Sequence, residues 1–292
     1  MQPLKVDQID QIETEMLKAD QFAKRDQFQK LIYDFYAKNK RSFIWREEIT
    51  PYKIVISEIM LQQTQTARVV PKFEAWLQKF PDFTTLAQAS NHDVLSAWQG
   101  LGYNRRGLAL LKIAHIVTSE YDGNLPNDPT ILETFPAIGP NTAGSICAFA
   151  FNNPIVFIET NIRTVYTDTF FKGQCEITDK QLLPLIAQTM DYNNAREWYY
   201  ALMDYGVHLK QNLPRINAAS KHYTRQSKFI GSKRQVRGVI IKILTQLKQI
   251  DFESLLDLLM FELPDNKHNH SSIIQNLIDE KTVHNNNDIL SL

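Results

Sequence analysis

Cysteine is nearly absent from this 292-residue chain: Cys147 and Cys175 are the whole supply. Two thiols exclude a disulfide framework, a four-cysteine zinc site and a self-contained cubane iron–sulfur site. No stretch reaches the roughly 20 uncharged apolar residues that a membrane span needs. The first ten residues, Met1 to Asp10, are polar and lack the apolar core of a secretion signal. A soluble, cytoplasmic protein is expected. Glycine (10) and β-branched alternation are both sparse, which counts against an all-β fold. Hydrophobic residues at 43% and charged residues at 22% exclude wholesale disorder. The length predicts two compact units with room for a small third.

Acidic residues are missing from one long stretch. Between Tyr205 and Gln249 there is no Asp or Glu, while Lys210, Arg215, Lys221, Arg225, Lys228, Lys233, Arg234, Arg237, Lys242 and Lys248 give it ten positive charges. The chain as a whole has 32 basic and 32 acidic residues, so the remainder is left acidic. A run this basic, with Tyr223 and Phe229 interleaved, fits contact with a nucleic acid through counterion release. A solvated helical face is the alternative.

Apolar residues recur at three- and four-residue spacing, which predicts a mostly helical chain. The expected helices are Asp26–Asn39, Ile54–Thr66, Val69–Phe80, Asp93–Gln99, Asn104–Tyr121, Pro129–Phe135, Asn141–Phe149, Asn161–Phe171, Gln181–Met190 and Ala195–Lys210. Pro51 and Pro71 suit first turns, where a missing N–H costs little. Near the C-terminus, Arg237–Leu247, Phe252–Met260 and Ser271–Glu280 read as three more helices. Thr282-Val283, the turn Asn285–Asp288 and Ile289–Leu292 then read as a hairpin. Three helices and a hairpin give a winged-helix-like module, with a helical cap as the alternative.

One turn carries a chemical signature. Phe135-Pro136-Ala137-Ile138-Gly139-Pro140-Asn141-Thr142-Ala143-Gly144 joins two expected helices through a glycine. The N-terminus of the second helix, with its outward N–H groups and positive dipole end, is a ready site for a phosphate oxygen. Around it stand Thr50-Pro51-Tyr52-Lys53-Ile54-Val55-Ile56-Ser57-Glu58-Ile59-Met60-Leu61-Gln62-Gln63-Thr64-Gln65, then Trp98-Gln99-Gly100-Leu101-Gly102-Tyr103 with Arg105 and Arg106, Ile158-Glu159-Thr160-Asn161-Ile162-Arg163-Thr164-Val165, and Met203-Asp204-Tyr205-Gly206. In residues and in order, these blocks resemble the helix–hairpin–helix DNA glycosylases, and among them the MutY-type adenine glycosylases. The resemblance runs from about Phe35 to about Lys210.

It implies an all-α, two-lobed helix–hairpin–helix glycosylase fold with a small C-terminal winged-helix-like module. Residues 1–25 would be an N-terminal extension and 46–153 a six-helix module carrying the hairpin. Residues 26–45 with 154–226 would make the second lobe, and 227–292 the terminal module. The partner would be double-stranded DNA with a mispaired or oxidised base, bound by a monomer and, in a bacterium, at the nucleoid. The resemblance assigns Glu58 as the acid that protonates adenine N7, and Glu159 as the carboxylate that stabilises the cationic sugar or activates water. Gln62 would wedge into the vacated stack, Tyr103 would insert near the lesion, and Gln63, Arg105, Ile138, Gly139, Asn141, Thr142, Asn161 and Arg163 would contact DNA.

The residues themselves support unequal roles for the two acids. Glu58 stands alone in an apolar helix, where burial would keep it protonated. Glu159 precedes a helix N-terminus, where a carboxylate is stabilised.

Three departures from the family pattern stand out. Glu159-Thr160 replaces an Asp-Gly pair, lengthening the acid by one methylene. Lys210, Asn217, Ser220 and Gln226 occupy the places of four cluster-binding cysteines, so no cofactor is expected and the loop Lys210–Lys228 would hold phosphate by charge instead. About 65 helix-rich residues stand where a large β-rich domain would inspect the opposite base. Asn141 stands where bifunctional relatives carry lysine, and an amide forms no Schiff base. Base removal without strand cleavage is therefore expected. A thymine or uracil mismatch glycosylase, or a damage-sensing DNA-binding protein without turnover, are the alternatives.

Overall fold

The computed structural model describes residues 19–213 and 228–292. Helices dominate it, as the apolar spacing requires. In chain order they are α1 (Ala19–Asn39), α2 (Ile44–Glu47), α3 (Pro51–Leu61), α4 (Thr66–Lys79), α5 (Phe83–Ala87), α6 (Asn91–Trp98), α7 (Arg105–Glu120), α8 (Pro129–Leu132), α9 (Pro140–Phe151), α10 (Thr160–Phe170), α11 (Asp179–Thr189), α12 (Ala195–Asn212), α13 (Lys233–Leu247), α14 (Phe252–Glu262) and α15 (His270–Asp279). Strands β1 (Gln249–Asp251), β2 (His284–Asn286) and β3 (Ile289–Ser291) form one antiparallel sheet in the order β1-β3-β2.

Packing groups the chain into two units: Met1–Glu58 with Pro126–Thr224, and Ile59–Leu125 with Arg225–Leu292. These boundaries differ from the expected lobes. The hairpin packs with the first unit, and the C-terminal module packs with residues 59–125.

In the first unit, α1, α10 and α12 close over an aromatic core. The ring of Phe28 meets Tyr166 at 5.4 Å and Trp198 at 5.8 Å, both edge-on. Beside it lies a buried ionic knot. Asp204 of α12 accepts from Arg41 N (2.9 Å) and Nε (2.7 Å) and from Arg46 Nη1 (2.9 Å). A carboxylate this buried is tolerated because guanidinium groups satisfy both of its oxygens.

In the second unit, Phe73, Trp76, Leu86, Val94 and Trp98 are buried, with the Trp76 and Trp98 rings 5.7 Å apart and edge-on. Leu95 of α6 belongs to the core of the terminal module together with Ile240, Leu244, Leu255, Leu259, Ile274 and Leu290. His92 Nε2 also hydrogen-bonds the Thr245 carbonyl at 3.0 Å.

Several expected boundaries move, each for a local reason. Ser232 caps α13 by accepting from Gln235 N, so that helix begins four residues before Arg237. Pro71 lies inside α4, in its second turn, rather than at a helix start. The short helices α2 and α5 were not anticipated. One hairpin arm is His284–Asn286 rather than Thr282-Val283, whose side chains are buried. Asn287 (φ 51°) and Asp288 (φ 63°) turn the hairpin in the left-handed conformation that matches strand twist. Three helices, the hairpin and the additional strand β1 give the terminal module its winged-helix-like form. No helix among the described residues is long and apolar enough to cross a membrane.

Candidate active site

Helix α3 is apolar on nearly every face: Ile54, Val55, Ile56, Ile59 and Met60 are all buried. Glu58 is its single acid. By surface area Glu58 is partly exposed, yet its carboxyl lies deep among protein atoms, and this depth governs its affinity for a proton. Burial is the largest influence and pushes the carboxyl up to about 7. The Ser145 hydroxyl, donating to Glu58 Oε2 at 2.5 Å, opposes the rise. The charge of Glu159 adds to it and that of Arg46 offsets it.

Ser145 reaches Glu58 from α9, the second helix of the hairpin. Gly144 beside it lets α9 lie against the Ile155–Ile158 segment, since a Cβ there would come within 2.8 Å of Phe157 Cβ.

Glu159 is the N-cap of α10. Its Oε1 accepts from Asn161 N (2.7 Å) and Ile162 N (3.0 Å), and its Oε2 from Asn161 Nδ2 (3.2 Å). Helix start and amide thus satisfy both oxygens of this carboxylate. Thr160 is exposed.

The two acids therefore sit in opposite environments within one unit. One is desolvated and holds a proton near neutrality, while the other caps a helix start, and the charge of Glu159 acts on Glu58. Two carboxyls separated in this way form an acid/base pair suited to breaking a glycosidic bond.

The hairpin lies as expected between α8 and α9. Ile138 is buried, Gly139 is the N-cap of α9, and Pro140 opens its first turn. The residue in the left-handed conformation is Ala137 (φ 63°) rather than a glycine. An L-residue held there costs roughly 1 kcal/mol or more, a strain that gathers at functional turns. Asn141 Oδ1 accepts from Ile158 N at 3.2 Å, tying the hairpin to the segment that leads into Glu159. Thr142 O accepts from Ser145 Oγ at 3.0 Å. Asn161 supports Glu159. Arg163 is held by Asp179 through Nε (2.7 Å) and Nη2 (2.8 Å), so its fork is engaged inside the protein.

Gly206 on α12 was read as part of a motif, without a role. A Cβ at this position would fall 2.5 Å from the Asn161 carbonyl oxygen and 2.8 Å from Asn161 Cβ. Backbone cannot yield as a flexible side chain can. Gly206→Ala should therefore destabilise the protein by about 2 kcal/mol. In thermal melting this corresponds to a fall of roughly 4–8 °C. A melting temperature equal to the parent's would show that the contact relaxes freely.

Gln62, Gln63, Tyr103 and Arg105 belong to the second unit. Gln63 (φ 53°) and Tyr103 (φ 49°) both hold left-handed backbone, and Arg105 is exposed. The sequence reading missed what organises them. Arg106 is buried and donates to the carbonyls of Ile59 (2.8 Å), Gln62 (2.5 Å), Leu101 (3.2 Å) and Gly102 (3.1 Å), and to Thr64 Oγ1 (3.1 Å). It thereby locks the turn after α3 to the turn before α7. Its guanidinium also lies 5.5 Å from the Tyr103 ring centroid. Burial lowers its pKa to about 10. Arg234 of the terminal module donates to Tyr103 Oη at 2.9 Å.

Tyr200 was missed as well. It is buried, and among the described residues no hydrogen bond to its hydroxyl is found. Burial is the main cause that raises its pKa; the charge of Arg46 offsets the rise and that of Glu58 adds to it.

Of the four positions that hold cluster ligands in MutY-type relatives, Lys210 is described, and its ammonium donates to Asn161 Oδ1 at 2.6 Å. The other three, Asn217, Ser220 and Gln226, lie outside the described residues. An ammonium, two amides and a hydroxyl are not thiolate donors, so these residues do not fit an iron–sulfur cluster. Cys147 is buried in α9, and Cys175 is exposed.

Residues 56–188 match the family model described as HhH-GPD superfamily base excision DNA repair protein. The adenine DNA glycosylase of Mycolicibacterium smegmatis is 30% identical over 230 residues, covering 73% of this chain and 78% of that protein. That of Homo sapiens is 31% identical over 192 residues, covering 62% of this chain and 35% of that one. Among solved structures, a thermostable thymine-DNA glycosylase superposes with a TM-score of 0.57 at 23% identity, covering 64% of this chain and 87% of that one. A trapped endonuclease III–DNA covalent intermediate superposes with a TM-score of 0.55 at 15% identity, covering 76% and 95%. These two likenesses establish a shared fold. With the motifs in order and the paired acids in one unit, the chain belongs to the HhH-GPD superfamily of base excision DNA repair proteins, in its adenine DNA glycosylase family.

Proposed function

We propose that this protein excises mispaired adenine from duplex DNA, opposite guanine or 8-oxoguanine, by hydrolysing the N-glycosidic bond. The observation that carries the reading is the pairing of a carboxyl pushed up to about 7, Glu58, with the helix-capping carboxylate of Glu159 in the same unit. The target nucleotide has to leave the stack, at a cost of a few kcal/mol, because protein groups and water cannot close around its C1′ inside the duplex. Glu58 then gives its proton to adenine N7, and the C1′–N9 bond breaks with its electron pair going to the base. The sugar is left cationic. Glu159 stabilises that cation and takes a proton from the water that adds to C1′. The products are free adenine and an abasic site.

The hairpin from Ile138 to Thr142 anchors a phosphate at the start of α9. Gln62 and Tyr103 hold the distorted duplex, with Gln63 and Arg105 beside them. Asn161 and Arg163 serve the site from inside, by supporting Glu159 and the start of α10. The chain acts as a monomer and without an iron–sulfur cluster, its cluster-equivalent positions carrying no thiolate.

Single-turnover assays on adenine:8-oxoguanine, adenine:guanine, thymine:guanine and uracil:guanine duplexes test the reading. Adenine release is expected from the first two. The strand should stay intact until alkali is added, because Asn141 stands where a Schiff-base lysine would be required. Release of thymine or uracil instead would assign a different base. Tight binding without any release would make the protein a damage sensor.

A further inference from the structure

We infer that Lys210 is a positioning residue for the active site, holding the Glu159 carboxylate in its working orientation through Asn161. The inference rests on the proposed role of Glu159 and deepens it.

An asparagine side chain has an accepting end and a donating end, and the two can exchange by a half-turn. At Asn161 the ends are assigned by their neighbours. The Lys210 ammonium, which can only donate, meets Oδ1 at 2.6 Å, so Nδ2 must face the other way. Facing that way it donates to Glu159 Oε2 at 3.2 Å. Without the ammonium, nothing at that end prevents the half-turn that would set a carbonyl oxygen against a carboxylate. Glu159 would then keep its grip on the backbone through Oε1 alone, free to swing about that oxygen.

The placement of Lys210 is itself unusual. A cation close to the start of a helix opposes the positive dipole end and is disfavoured there. Burial further lowers the pKa of Lys210, and nearby Arg163 lowers it as well, whereas the charge of Glu159 raises it. Arg163 is committed elsewhere, its Nε and Nη2 donating to the two carboxylate oxygens of Asp179. The backbone is built for the approach: Gly206, one turn earlier on α12, lets that helix lie directly against Asn161. The position at which MutY-type relatives carry a cluster ligand has thus been turned, in this chain, towards the acid pair.

The test compares Lys210→Met and Lys210→Arg with the parent on an adenine:8-oxoguanine duplex, measuring single-turnover rate, duplex Kd and melting temperature. Lys210→Met is expected to slow excision by about 10- to 100-fold, the scale of a small misplacement of a reacting group, with Kd within about threefold. Lys210→Arg, which keeps a cationic donor, is expected to recover most of the rate. In an Asn161→Ala background, Lys210→Met should have no further effect on rate. If Lys210→Met does not fold, Lys210→Gln takes its place. An unchanged rate, an additive loss in the Asn161→Ala background, or a rate loss matched by equal losses of binding and melting temperature would overturn the inference while leaving the proposed function standing. A parent protein that releases no base would overturn both.

Discussion

Glu58→Gln is expected to slow single-turnover adenine release by on the order of a thousandfold, the scale of general-acid catalysis, while duplex affinity stays within about threefold. The amide preserves the shape of the carboxyl and can still accept from Ser145, but it has no proton to give. The same group sets the pH dependence. Because burial pushes Glu58 up to about 7, the parent should excise fastest at or below that pH and slow by about tenfold per unit well above it.

Stability should also fall as pH rises. The unfolded chain releases this proton near 4.5 and the folded chain near 7, so folded protein binds more protons in between and loses stability as pH rises through that window. The full penalty is present above about 7. Glu58→Gln removes it, and the variant should be more stable than the parent at pH 8 by about 2 kcal/mol, with little difference at pH 4. A variant that is slower yet more heat-resistant in mild alkali would mark Glu58 as a group held against its solvation preference for function.

Glu159→Gln is expected to slow release by about 100- to 1000-fold, the loss typical of removing one preorganised electrostatic group. The amide oxygen can still accept from Asn161 N and Ile162 N, so the cap survives and the melting temperature should change little. Only the charge is lost. A duplex carrying a cationic abasic-site analogue, with a protonated ring nitrogen in place of the developing sugar cation, should bind the parent much more tightly than Glu159→Gln. Equal binding would mean that Glu159 does not face the sugar and that its capping bonds are its whole function.

Both acids were singled out by the family resemblance, and each also has a local mark. Glu58 is an isolated charge in an apolar helix, and Glu159 directly precedes a helix start. Their partners were not, because they arrive from remote parts of the chain. Ser145 is 87 residues from Glu58, and Lys210 is 49 from Asn161. Nothing in the local pattern marks Arg106 as buried rather than as one of two adjacent surface arginines; its role comes from five carbonyls, those of Ile59, Met60, Gln62, Leu101 and Gly102, that only the folded turns bring together.

Helix existence followed from apolar spacing almost everywhere, whereas boundaries depended on caps such as Ser232 and Asp251 that a single polar residue can set. Strand β1 escaped because three residues, Gln249 to Asp251, are too few to show alternation. It exists because β3 pairs with it, at Ile250 opposite Leu290. Asn161 and Arg163 read as DNA contacts in the motif, and the fold gives each a partner within the protein, Glu159 and Asp179.

The most direct test of the account is a crystal structure of this protein with a duplex in which a 2′-fluorinated, uncleavable adenosine stands opposite 8-oxoguanine. Adenine N7 should lie within hydrogen-bond reach of the Glu58 carboxyl, and Glu159 should stand beneath C1′ on the face away from the base. An adenine still stacked in the duplex, or extruded into a pocket that lacks either acid, would contradict the assignment of the pair as the catalytic centre.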